Sequence, residues 1–168
     1  MKRHLTILAS VAALCIPAAA LAADATPNAS QLALQSCKTQ QAALTASAFK
    51  ALYPTFGKCV SKAMHAAQSA IQNAAQQCQA ESTDANFAAT HSGSTFAQVY
   101  GNAKGKNADA NAMGKCVSTK AHAANDARTA ALVKAAKACK AERAGGAAAF
   151  ATKYGSFGAC VSQKTKTP

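Results

Sequence analysis

The 168-residue sequence predicts an all-α protein: three disulfide-stapled helical hairpin repeats linked by long Ala-rich helices. Three observations carry that expectation. A short word recurs around a cysteine three times. The stretches between the words are rich in alanine, free of Gly and Pro, and apolar at steps of three and four. Six cysteines beyond residue 23 fall two to a copy.

The recurring word reads Phe56-Gly57-Lys58-Cys59-Val60-Ser61, then Met113-Gly114-Lys115-Cys116-Val117-Ser118, then Phe157-Gly158-Ala159-Cys160-Val161-Ser162. Upstream of each copy stands an aromatic pair four residues apart: Phe49 and Tyr53, Phe96 and Tyr100, Phe150 and Tyr154. Further upstream a second cysteine opens a polar helix-forming run: Cys37-Lys38-Thr39-Gln40, Cys78-Gln79-Ala80-Glu81 and Cys139-Lys140-Ala141-Glu142. Self-similarity of this kind is read before any local propensity. The middle copy is longer through two polar insertions, one before Phe96 and one from Gly101 to about Asn111.

Val60 to Gln77 and Val117 to Ala138 read as the linking helices. In the first, Val60, Met64, Ala67, Ile71, Ala74 and Cys78 form an apolar stripe. In the second, the stripe runs through Val117, Ala121, Ala124, Ala131, Leu132, Ala135 and Cys139. Breaks are expected at Gly57, Gly101, Gly114, Gly145-Gly146, Gly155 and Gly158, and Pro54 ends the first aromatic helix near Tyr53.

Six cysteines permit fifteen pairings. If Cys59 and Cys78 end one helix they lie roughly 28 Å apart, and Cys116 and Cys139 roughly 34 Å. A disulfide needs Cα atoms within about 7 Å, so neither pair is bridged. The pairing that respects the repeat is Cys37–Cys59, Cys78–Cys116 and Cys139–Cys160. The aromatic positions and their counterparts form the repeat core: Phe49, Tyr53, Phe56, Phe96, Tyr100, Met113, Phe150, Tyr154 and Phe157. Half the residues count as hydrophobic, yet most of those are alanine, which buries little area. Cross-links are expected to offset so thin a core.

Residues 1–22 read as a cleavable signal peptide: basic Met1-Lys2-Arg3-His4, an apolar run from Leu5 to about Ile16, and small residues up to a cut between Ala22 and Ala23. Residues 23–36 form a linker and helix start. Residues 37–168 form one helical domain with repeats at about 37–62, 78–120 and 139–164. Nothing in the mature part is apolar enough to span a membrane. The expected location is therefore secreted or extracytoplasmic.

The third copy, Cys139-Lys-Ala-Glu-Arg143, Phe150, Lys153-Tyr154-Gly155 and Phe157-Gly158-x-Cys160-Val161-Ser162, resembles an uncharacterised Cys-containing repeat of exported actinobacterial proteins. The middle copy resembles its longer form. The resemblance covers most of residues 37–164 and implies the architecture without implying catalytic residues. The first copy departs from it, with Gln40 where an acid is usual and Pro54 where glycine follows tyrosine.

Charge narrows function. Residues 101–168 hold twelve Lys or Arg against three acids, whereas residues 23–100 hold four against three. Lys104, Lys106, Lys115, Arg128, Lys134, Lys137, Lys140 and Arg143 form the candidate anion-binding set, weakly selective and sensitive to salt. No metal site is expected, since zinc ligands usually pair within Cys-x₂₋₄-Cys and the closest cysteines here are 19 positions apart. His65 and His122 each lie six positions after a repeated cysteine and read as inherited surface residues, while His91 sits alone in its loop. Asn107-x-Asp109-x-Asn111 imitates the start of a calcium loop but lacks its glycine and closing glutamate. No nucleophile–base cluster stands out, so no catalytic residue and no cofactor is expected. The expected function is that of an exported, non-enzymatic interaction or envelope-associated module. Its partner would be an anionic cell-wall polymer or surface, with no specific nucleic acid. The alternatives are a cationic membrane-active or inhibitory protein and an uncharacterised enzyme.

Overall fold

The large side chains with under 2% exposure are Leu32, Gln40, Val161 and all six paired cysteines. The helices are arranged around that sulfur. The computed structural model describes residues 27–101 and 111–166. The expected signal peptide (1–22), Lys104, Lys106 and the Asn107/Asp109 stretch lie outside the described residues.

Eight helices and no strand occur among the described residues: α1 (Ala29–Ala43), α2 (Ala46–Leu52), α3 (Phe56–Thr83), α4 (Phe87–Thr90), α5 (Phe96–Tyr100), α6 (Ala112–Gly145), α7 (Ala147–Tyr154) and α8 (Phe157–Lys166). The all-α class is as expected, but the long helices begin earlier and end later than the alanine-rich pattern suggests. The word around each second cysteine is the first turn of a helix. Thr55 caps α3 by accepting from the Lys58 amide at 3.2 Å, and Ser156 accepts from the Ala159 amide at 3.1 Å at the start of α8. Gly57, Gly114 and Gly158, expected as breaks, therefore sit inside helices. First-turn amides have no intrahelical acceptor to lose, so glycine is tolerated there. At the far ends, Cys78-Gln-Ala-Glu and Cys139-Lys-Ala-Glu are good helix formers and carry α3 and α6 onward to Thr83 and Gly145. Gly155 does end α7, at φ +70°, a left-handed conformation that favours glycine.

Cys37 is bridged to Cys59, Cys78 to Cys116 and Cys139 to Cys160, with Cα–Cα separations of 6.0, 5.9 and 6.1 Å. Each bridge joins the later part of one helix to the start of another. Hence α1, α3, α6 and α8 run up, down, up and down. The α3–α6 packing is the most extensive, and α1 lies against both. Each bridge also sits in its own apolar cluster. Cys78–Cys116 lies with Leu32, Ala67, Ala74, Val117 and Ala121; Cys139–Cys160 with Ala135, Phe150, Phe157 and Val161; Cys37–Cys59 with Phe49 and Tyr53.

Two expectations about burial are corrected. Ala124 and Ala131 of α6 are exposed, and Asn125 and Thr129 are buried instead, at 5% and 4% exposure. The reason is the α1 partner. Ser36 and Thr129 hydroxyls meet at 2.7 Å, and the Asn125 amide donates to the Leu32 carbonyl at 3.3 Å. Of the repeat core, Phe49, Tyr53, Phe150 and Phe157 are buried, whereas Phe56, Phe96, Tyr100, Met113 and Tyr154 are only half-buried. The middle copy instead buries Phe87, which the repeat did not single out. Its ring meets Phe96 at 5.6 Å and His91 at 3.7 Å, so His91 is stacked and not alone.

Leu32 is fully enclosed, while Leu34, two residues on, is 39% exposed. Leu32→Ala should lose about 2–4 kcal/mol in denaturant unfolding. Leu34→Ala should stay within about 0.5 kcal/mol of wild type. Equal losses at the two positions would contradict this placement.

Candidate functional site

Each cysteine-bracketed copy brings its tyrosine back onto the residue three positions after its first cysteine. Tyr100 donates to Glu81 at 3.2 Å, and Tyr154 donates to Glu142 at 2.7 Å. In the first copy Tyr53 donates to Gln40 Oε1 at 3.0 Å. The two acids each take a lysine from four positions after the second cysteine. Lys120 Nζ lies 2.9 Å from Glu81, and Lys164 Nζ lies 2.5 Å from Glu142. Ala63 holds that position in the first copy. Acid and lysine are thus replaced together by amide and alanine, and the reason is burial. Gln40 is 1% exposed, and a carboxylate there would carry a steep desolvation cost.

The buried Gln40 belongs to a directed hydrogen-bond chain. Tyr53 donates to its oxygen, and its Nε2 donates to Ser36 Oγ at 3.0 Å. Thr129 has one hydroxyl proton, which goes to the Asn125 carbonyl at 2.8 Å. The proton between Ser36 and Thr129 is therefore the serine's. Every polar atom in the chain has a partner, which lets so polar a seam lie inside the bundle.

Above this seam opens a cleft of about 140 Å³. Ser36 and Gln40 of α1, Tyr53, Asn125 of α6 and Ser162 of α8 give it a polar side. Leu52, Leu132 and Val161 give it an apolar one. Lys62 and Arg128 are its only charged lining residues, and both are exposed. The same two side chains line a shallower trough along α3 and α6 with His65, Ser69 and Asn73. Lys62 Nζ stands 5.8 Å from the Tyr53 ring centre. Burial pushes the Tyr53 phenol up from its ordinary value, against the opposing pull of Arg128 and the Gln40 hydrogen bond.

The expected cationic set is therefore divided. Arg128 belongs to the cleft. Lys134, Lys137, Lys140 and Arg143 are exposed along α6, stepping around it at intervals of three. Lys115 is half-buried in the first turn of α6. Lys62 was not in the set, because a single lysine on an alanine-rich helix carries no signal without knowledge of what packs opposite. His65 is exposed on α3 and His122 half-buried on α6. Among the described residues no group of three His, Cys, Asp or Glu side chains is placed to hold a metal ion.

Glu142 answers to pH. The Lys164 hydrogen bond, and then that of Tyr154, hold its carboxyl below its ordinary value of 4.5. A depressed carboxyl contributes stability that is complete above 4.5 and is lost as pH falls through the lower folded value. Wild type should melt above Glu142→Gln at pH 7, and the gap should shrink as the pH falls below 4.5. A gap independent of pH would show that the ion pairs contribute nothing.

No described helix is long and apolar enough to cross a membrane. Three intramolecular disulfides fit an oxidising, extracytoplasmic compartment. No protein-family model, curated protein or solved structure matches the chain.

Proposed function

We propose that the protein is an exported, non-enzymatic module that associates with an anionic polymer or surface of the cell envelope through its basic C-terminal half. The signal-peptide character of residues 1–22 supplies the route of export. The observation that carries the reading is the charge balance on α6. Lys134, Lys137, Lys140 and Arg143 are exposed on one continuous helix. The single acid among them, Glu142, is already engaged by Lys153 and Lys164. The field presented to a partner is therefore strongly positive, since the one carboxylate on that stretch is offset by two lysines from outside it. Distribution around the helix suits a flexible or extended polyanion better than a single rigid docking partner.

Cosedimentation with purified anionic wall material across a salt series tests this. Wild type should sediment at about 50 mM salt and lose on the order of tenfold in binding by about 200 mM. The variant with Lys134, Lys137, Lys140 and Arg143 all changed to Gln should stay in solution at both. Binding that ignores ionic strength, or survives the fourfold change, would defeat the proposal. Release of dye from anionic vesicles at equal concentration would point instead to a membrane-active protein.

A further inference from the structure

We propose that the cleft between α1, α3, α6 and α8 is a binding site for a small organic oxyanion. The ligand would be a carboxylate carrying an apolar body about the size of a six-membered ring. The anionic group would lie between Lys62 and Arg128 and the body against Leu52, Leu132 and Val161.

Three features point the same way. The first is charge. Lys62 and Arg128 come from different helices to the mouth of one hollow, and no carboxylate lines either that hollow or the trough beside it. Among the described residues neither side chain has an acid within salt-bridge distance. Elsewhere the fold shows how it satisfies a lysine that needs a partner, with Glu81 for Lys120 and Glu142 for Lys164. In the copy that contributes Lys62 the uncharged Gln40 stands in the place of that acid, so no carboxylate at this position competes with a ligand for the cation. The second is size. About 140 Å³ is close to the volume of an apolar cavity that accepts benzene. The third is rigidity. The polar side of the cleft is held by the Tyr53–Gln40–Ser36–Thr129 chain and by the Cys37–Cys59 bridge behind it. A ligand would therefore meet a wall already formed, with little ordering left to oppose binding.

The site does not depend on polymer binding by α6, and the two are separable by experiment. Benzoate is the probe, titrated into the oxidised protein by calorimetry and by NMR. Benzyl alcohol serves as the uncharged analogue and inorganic phosphate as the charge without a body. Benzoate should bind saturably and shift the resonances of Tyr53, Leu132 and Val161. Benzyl alcohol and phosphate should each bind at least tenfold more weakly. Arg128→Gln and Lys62→Gln should each weaken benzoate on the order of tenfold. The double variant Lys38→Gln with Lys50→Gln, which removes two exposed cations away from the cleft, should change it less than twofold. Arg128 and Lys62 are exposed, so both variants should fold, and their spectra verify it. Linear, non-saturating shifts would overturn the proposal, as would equal weakening by the Lys38/Lys50 pair. Phosphate binding as tight as benzoate would also overturn it. If wall material fails to bind while benzoate remains sensitive to Arg128, the cleft stands and the polymer reading falls.

Discussion

Three cystines stand where a larger protein would place leucine and phenylalanine. Each bridge lies in one of three apolar clusters, and every cysteine in them is fully buried. Between the clusters lie half-buried Leu44, Leu52, Val60 and Ala63, further alanines and a polar seam, a sparse apolar filling for a bundle of long helices. Cross-links over 22, 38 and 21 residues remove about 3–4 kcal/mol each from the side of the unfolded chain. Together that is about 10 kcal/mol, comparable with the whole net stability of an ordinary domain. The helices are long because alanine favours helix, and they stay together because sulfur joins them.

The bridges also explain where the tyrosines go. Fixing the first cysteine of a copy to its second brings the residue three positions after the first close to the tyrosine loop. Glu81 and Glu142 receive a tyrosine hydroxyl and a lysine there in partly solvated surroundings. In the first copy the same position faces α6 and is closed off from water. An uncharged amide takes over, the lysine becomes Ala63, and the hydrogen bond continues inward to Ser36 and Thr129. One geometry thus serves as a partly solvated ion-pair latch in two copies and as an interior seam in the third. The cleft with Lys62 and Arg128 lies beside the copy that has Gln40 at the position of the acid.

Much of the architecture was legible in the sequence. The cysteine pairing followed from helix rise and repeat register, two constraints that do not require knowing which faces touch. Pro54 marked the end of α2, and Gly145-Gly146 the end of α6. Burial along α6 was not legible, because alanine is equally at home in water and in a core. With Ala124 and Ala131 as candidates the stripe lacked contrast. Asn125 and Thr129 are polar residues whose burial depends on the α1 hydroxyl and carbonyl opposite them, partners that the sequence alone does not place. Helix starts were misread for a related reason, since Gly57 and Gly158 carry a break signal that the caps at Thr55 and Ser156 override. The Lys62–Arg128 mouth joins residues 66 positions apart on helices whose facing sides only the packed bundle reveals.

Thermal unfolding of the protein, oxidised and then fully reduced, reaches the central claim most directly when thiols are counted in the same samples. The account requires a cooperative helical transition with no free thiol among the six paired cysteines, and its collapse at room temperature once all six are reduced. A reduced protein with six titratable thiols, an unchanged far-UV spectrum and the same melting temperature would contradict it.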